Sequence, residues 1–212
     1  MSGCLNYHKC NDMSYAREKY TKAMSKIMIS VGTMVAKQID ELAHKQCPTY
    51  PKNKLQDVIR LGNAHVGRLL HYFPFNTKEN VEDDWCGWHN DHGALTALTS
   101  SMYIDKDGKE LKFKETKGGL FAKNRFSETA KISIPADMLA FQLGESTQIM
   151  TGGMLEATPH CVVRSDELAG KGVSRNTFAL FMEPDDLYPM SVPKSRNPSS
   201  AINKDTHKVP PL

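Results

Sequence analysis

The sequence predicts a mainly β domain, a sandwich or barrel, preceded by helices and flanked by one long helix. Two observations carry this. Over residues 14–45 apolar side chains recur at spacings of three and four, the period of a helix. From about residue 65 the period changes. Short runs rich in β-branched and aromatic residues follow one another, separated by turn signals, as in antiparallel β structure.

The elements follow in order. Tyr20, Met24, Ile27, Met28, Val31, Val35, Ile39 and Leu42 form the stripe of the long helix, which should pack on a core. "CPTYP" at 47–51 ends it, because proline cannot continue a helix. A second short helix is expected at 55–61. Strands are expected at "HVGRLLHYF" (65–73), "ALTALTSSMYI" (94–104), "LKFK" (111–114), "GLFAK" (119–123), "AKISI" (130–134), "MLAFQL" (138–143), "TPHCVVR" (158–164) and "TFALFME" (177–183). "DKDG" after the second of these reads as a hairpin turn. The chain thus divides into a helical segment, 1–62, a β domain, 63–184, and a polar, proline-rich tail, 185–212.

Composition narrows the classes of function. At 212 residues the chain can bury a substantial core unaided. A net charge of +3 is too small to argue for nucleic acid or a membrane surface. No apolar run reaches membrane-span length. The start, "MSGCLNYHKC", lacks the apolar core of a signal peptide. Five cysteines without a C-x-x-C pair read as reduced thiols, including Cys4 and Cys10, and point to a cytoplasmic protein.

The chemistry concentrates in three places. In "GWHNDHGALTAL" an imidazole, His89, and a carboxylate, Asp91, are two residues apart. At strand spacing such residues point the same way. A second imidazole, His160, lies in "EATPHCVVRS" on a later strand. Two histidines and one carboxylate can hold one face of an octahedral metal and leave the other face open, the arrangement suited to non-haem Fe(II). The same set also suits zinc with one open position, hence a hydrolase. In "SRNTFALFMEP", Arg175 and Thr177 share a strand face. A guanidinium beside a hydroxyl makes a carboxylate clamp. An arginine inside a barrel needs a partner, and a bound dicarboxylate would be one.

These pieces, in this order, resemble the 2-oxoglutarate and Fe(II)-dependent oxygenases, in particular the branch typified by isopenicillin N synthase and the plant dioxygenases. The resemblance runs from "LLHYFP" through "HNDHGALTAL", "GGLFAK" and "SIPADMLAFQLGESTQIMTGG" to "ATPHCVV" and "SRNTFALFMEP". It implies a double-stranded β-helix, or jelly-roll, barrel. It implies His89, Asp91 and His160 as iron ligands, with Arg175 and Thr177 on the distal carboxylate of 2-oxoglutarate. The implied reaction oxidises a small-molecule substrate with O2 and releases succinate and CO2. A cosubstrate-free Fe(II) oxidase of the isopenicillin N synthase type is the nearest alternative, and a non-catalytic jelly-roll binding domain the most distant.

The chain departs from the family's pattern at several points. Cys161 follows the distal histidine where an arginine is usual, and alternation turns it away from the metal. The position before Pro74 is Phe73 rather than tyrosine. His71 shares the face of Phe73 and is the expected substitute in cosubstrate binding, with Tyr72 facing the other way. Gln142 is expected to point inward, Trp88 into the core, and His92 to solvent. The family's N-terminal strands are missing from the pattern, which leaves closure of the barrel to be tested.

Overall fold

A computed structural model describes residues 11–76, 84–112 and 116–201. Helix α1 spans Asn11–Gln46 and α2 spans Lys54–Leu61, separated by the proline-bearing turn. Asp40, facing inward from α1, joins the two. It accepts hydrogen bonds from the Tyr50 hydroxyl at 2.6 Å and from the backbone N–H groups of Leu55 and Gln56 at 2.9 and 2.8 Å.

The strands are β1 (Val66–Tyr72), β2 (Cys86–His89), β3 (Leu95–Leu98), β4 (Met102–Ile104), β5 (Glu110–Leu111), β6 (Gly119–Lys123), β7 (Thr129–Ile132), β8 (Ala140–Leu143), β9 (His160–Val163) and β10 (Ser174–Met182). They form two antiparallel sheets. One runs β5-β4-β10-β3-β8, with β1 on the other side of β10; the second runs β2-β9-β6-β7. Apart from the β4–β5 and β6–β7 pairs, neighbours in each sheet are distant in sequence, so the chain crosses repeatedly between sheets. Setting aside the β4–β5 hairpin, each sheet has four strands, and the N-terminal strands that the sequence pattern lacks are not needed to complete this eight-stranded core.

The expected strand 94–104 is two strands. Thr99 breaks it: its N–H donates to the Phe178 carbonyl at 3.0 Å, and its hydroxyl accepts from the Phe178 N–H at 3.0 Å. The chain shifts there, so β3 pairs with the end of β10 and β4 with its start.

Alternation along β10 sorts its side chains. Phe178, Leu180 and Met182 join Met28 and Ala36 of α1 in the main core. The helix makes this contact through part of the expected stripe, Met28, Val35 and Ile39, together with small residues. A Cβ added to Gly32 would lie 2.7 Å from the Met182 side chain, while Tyr20 and Ile27 stay exposed. The other face of β10 carries Arg175, Thr177 and Phe181 and looks into the space between the sheets. Among the described residues no helix is long and apolar enough to cross a membrane.

Residues 185–201, expected as tail, return along the helices. The Lys54 ammonium donates to the Ser191 carbonyl at 2.6 Å, Arg196 Nε to the Gly152 carbonyl at 3.0 Å, and Gln148 Nε2 to the Ala201 carbonyl at 3.1 Å. The expected tail beyond Ala201 lies outside the described residues, as do Cys4 and Cys10. Cys47, Cys86 and Cys161 are free thiols.

Candidate metal centre

His89 ends β2 and His160 begins β9, and the ladder between these strands makes them direct partners. Their rings lie 4.1 Å apart between centroids. Each is oriented in the same way. His89 Nδ1 donates to the Gly87 carbonyl at 2.8 Å and His160 Nδ1 to the Thr158 carbonyl at 2.9 Å. With Nδ1 so occupied, Nε2 of each ring turns to Asp91. Asp91 Oδ1 lies 3.8 Å from His89 Nε2 and 3.7 Å from His160 Nε2. Ligands in cis positions about 2.1 Å from an ion are roughly 3 Å apart, so a small contraction of this triangle closes it on a metal.

Asp91 is not on a strand, so the period-two argument does not account for its position. It sits in the loop after β2, and a six-residue helix, α3 (Glu145–Met150), holds that loop. The N–H groups of Glu145 and Ser146 donate to the carbonyls of Asp91 and His92 at 2.8 and 3.1 Å, and the Thr147 hydroxyl donates to the Ala94 carbonyl at 2.7 Å. Gly144 makes the approach possible, since a Cβ there would lie 2.0 Å from the Gly93 carbonyl oxygen. The second carboxylate oxygen of Asp91 is fixed separately. Oδ2 accepts from the Thr96 hydroxyl at 2.6 Å and from Gln142 Nε2. Thr96 and Gln142 are partners across β3 and β8. Gln142 therefore points inward as expected; Thr96 had no sequence signal, because its role arises only from the pairing.

Electrostatics separates the two histidines. Burial, the strongest influence on His89, favours the neutral ring. Hydrogen bonds to Cys86 and Gly87, with the nearby charges, outweigh it and push the pKa up to about 9. Burial dominates at His160 and lowers its pKa. A neutral His160 accepts at Nε2 from Gln142, 3.1 Å away.

Arg175 and Thr177 lie on the same sheet face as Thr96 and Gln142. Arg175 is 4% exposed, and its Nε and Nη1 are buried without a hydrogen-bond partner among the described residues. Its neighbours across the two ladders are Tyr72 and Tyr103, and its guanidinium lies 5.1 Å from the centre of the Tyr72 ring. Thr177 donates its hydroxyl to the Thr99 carbonyl at 3.1 Å.

His71 is a correction. It does stand beside Phe73, with ring centroids 4.7 Å apart, but that face is the outer one. His71 pairs with Asn176 and shares a 2.6 Å hydrogen bond with its side-chain oxygen. The register gives the inner position beside Arg175 to Tyr72. Trp88 is half-buried rather than core, with the Lys123 ammonium 4.7 Å from its ring centre. His92 is exposed and bonded to Glu145 at 2.8 Å. Cys161 is buried and is not among the candidate ligands. Within the described residues, His89, Asp91 and His160 are the one cluster of three such side chains that could hold an ion.

No family model matches the sequence, and no curated protein matches it. Solved structures do. A protein assigned as an oxygenase from Shewanella oneidensis is 18% identical, with a TM-score of 0.61, matching 84% of this chain and 60% of its own. One assigned to the 2OG-Fe(II) oxygenase family from Caulobacter crescentus is 20% identical, with a TM-score of 0.61, over 87% of this chain and 51% of its own. This chain has the jelly-roll fold of the 2-oxoglutarate oxygenases. The dioxygenase for auxin oxidation 1 of Arabidopsis thaliana, in complex with 2-oxoglutarate, shares it at 19% identity and a TM-score of 0.54, over 89% of this chain and 57% of its own. The chain thus spans less than two thirds of each of these proteins. The likeness is to the fold and does not single out the isopenicillin N synthase branch.

Proposed function

We propose that this chain is a non-haem Fe(II)- and 2-oxoglutarate-dependent oxygenase acting on a small organic substrate. The observation that carries this reading is Arg175. A buried guanidinium with two unpartnered nitrogens is costly, and it faces the same interior as the His89–Asp91–His160 triangle. A dianion anchored on Arg175 and reaching the metal would satisfy both sites.

In this reading His89, Asp91 and His160 hold the iron. Arg175 takes the distal carboxylate of 2-oxoglutarate through the fork that carboxylates match. The Tyr72 ring supports the guanidinium, and Thr177 turns its hydroxyl from Thr99 to the arriving carboxylate. Bound iron supplies the oxidising chemistry with 2-oxoglutarate and O2, giving succinate, CO2 and an oxidised product. The protein's own part is to fix the ligands and to exclude water from the barrel interior. Reduced thiols accord with a cytoplasmic setting.

The test is an anaerobic titration of the protein with Fe(II) and then 2-oxoglutarate, followed in the visible. The expected result is a weak charge-transfer band that needs both additions and is lost in His160→Ala. Iron binding without any response to 2-oxoglutarate would replace this reading with the cosubstrate-free oxidase.

A further inference from the structure

A second arginine occupies the same sheet face as Arg175. Arg68, Leu70 and Tyr72 alternate onto the inner face of β1, opposite Ala179, Thr177 and Arg175. The Arg68 guanidinium lies 4.8 Å from the centre of the Phe181 ring. Phe181 is in turn the cross-strand partner of Thr96, whose hydroxyl holds Asp91. One cation therefore marks each end of the cleft, Arg175 beyond Tyr72 and Arg68 on the side of the metal ligands. Arg68 and Tyr72 are four residue steps apart along the strand, about 13 Å, so a five-carbon diacid held at Arg175 does not reach Arg68.

Among the described residues no carboxylate lies within ion-pair distance of Arg68, and Glu183 feels its charge only at longer range. It belongs to none of the ion pairs. Glu183 shares this end of the cleft but is pressed against Gly93, where an added Cβ would lie 2.8 Å from its carboxylate. Burial, and then the charge of Asp91, pushes the Glu183 carboxyl up against the opposing pull of His92, Arg68 and His65. The Phe181 ring supports the guanidinium by a cation–π contact that uses none of its N–H donors.

We propose that Arg68, seated on Phe181, binds a carboxylate of the prime substrate, so that the substrate is an organic acid whose apolar body rests on the Leu70, Leu98 and Phe181 face. A single planar guanidinium matches the two oxygens of a carboxylate. A phosphate dianion would want a second cation, and the nearby His65 has both ring nitrogens engaged, Nε2 with the Ile59 carbonyl at 2.8 Å and Nδ1 with the Glu183 N–H at 3.2 Å. The assignment rests on reading Arg175 as the cosubstrate anchor.

The experiment is anaerobic calorimetry on the full chain loaded with Fe(II). 2-Oxoglutarate is titrated first, then hexanoate and phenylacetate against their neutral amides. The expected result is that at least one acid binds in the presence of saturating 2-oxoglutarate, about tenfold more tightly than its amide, a ratio typical of one charged hydrogen bond. Arg68→Gln should abolish that preference, Arg68→Lys should keep part of it, and both should bind 2-oxoglutarate as the wild type does. Arg68 is exposed, so neither substitution threatens folding. Acids that bind no better than their amides, that are displaced by 2-oxoglutarate, or whose preference survives Arg68→Gln overturn the Arg68 assignment and leave the oxygenase reading intact. Absence of 2-oxoglutarate binding in the wild type overturns the oxygenase reading itself, and the assignment with it.

Discussion

His89 and His160 are direct partners across the β2–β9 ladder, and each donates Nδ1–H to the carbonyl two residues before it. The pair is thus oriented before any metal arrives, but it is not equally ready. Without metal the raised pKa keeps His89 protonated at neutral pH, while the lowered pKa of His160 keeps that ring neutral. A metal must displace the His89 proton. Apparent affinity should therefore rise with pH, about tenfold per unit from pH 7, and level off near the His89 pKa of about 9. Anaerobic Fe(II) titrations in buffers of different ionisation enthalpy should show about one proton released per ion at pH 7. An affinity independent of pH across this window contradicts the His89 assignment.

Asp91 turns Oδ1 toward both histidines, where it would be the third ligand, while Thr96 and Gln142 hold Oδ2. Asp91→Ala removes both a ligand and the compensating charge, so iron binding should be lost. Thr96→Val or Gln142→Leu leaves the ligand but frees it to turn. Such supporting contacts are worth about 10- to 100-fold in metal affinity. Wild-type affinity in both variants, measured by competition with a chelator of known strength, would show that the α3 contacts to the loop suffice.

Arg175→Lys keeps the charge and loses the fork. A charged hydrogen bond is worth roughly 1.5–3 kcal/mol, so the apparent KM for 2-oxoglutarate should rise about tenfold to a hundredfold while iron affinity stays unchanged. Succinate release with Fe(II), ascorbate and O2 reads the first, and metal titration the second. A variant that loses iron as well would place Arg175 in the support of the triad.

The convergence of His89, Asp91 and His160 was legible in the sequence because ligand chemistry survives without coordinates: two imidazoles, one carboxylate, and strands to carry them. The reason offered for Asp91 was not the operative one. Its position depends on α3, whose six residues are too few to show a helical period. The choice between His71 and Tyr72 needed the register of β1 against β10, since a one-residue slip exchanges the two faces of a strand. Composition does not carry register. The α1 stripe gave only part of the contact for a related reason. Close packing on β10 selects Gly32 and Ala36, which a count of large apolar residues passes over. Thr96 and Arg68 acquire meaning only from cross-strand neighbours.

The segment 185–201 was expected to be loop or tail for its prolines and polarity, yet it satisfies buried groups on α2 and α3. Lys54, 8% exposed, uses its ammonium on Ser191, and Gln148, 4% exposed, bonds the Ala201 carbonyl while its own oxygen accepts from the Ala157 N–H at 2.8 Å. Gln148 belongs to α3, the helix that fixes the Asp91 loop. Truncation after residue 190 would leave the Lys54 charge and the Gln148 amide short of partners. Each buried polar group so stranded costs about 1–3 kcal/mol, so the truncated chain should lose roughly 2–6 kcal/mol in urea unfolding if both groups stay dry. Metal affinity should fall as well, because α3 would be less firmly seated. Truncation after Ala201 keeps these contacts and should change neither quantity. Equal stability of the chains ending at 190 and 201 would show that water replaces the strap, and would restore the reading of this segment as a tail.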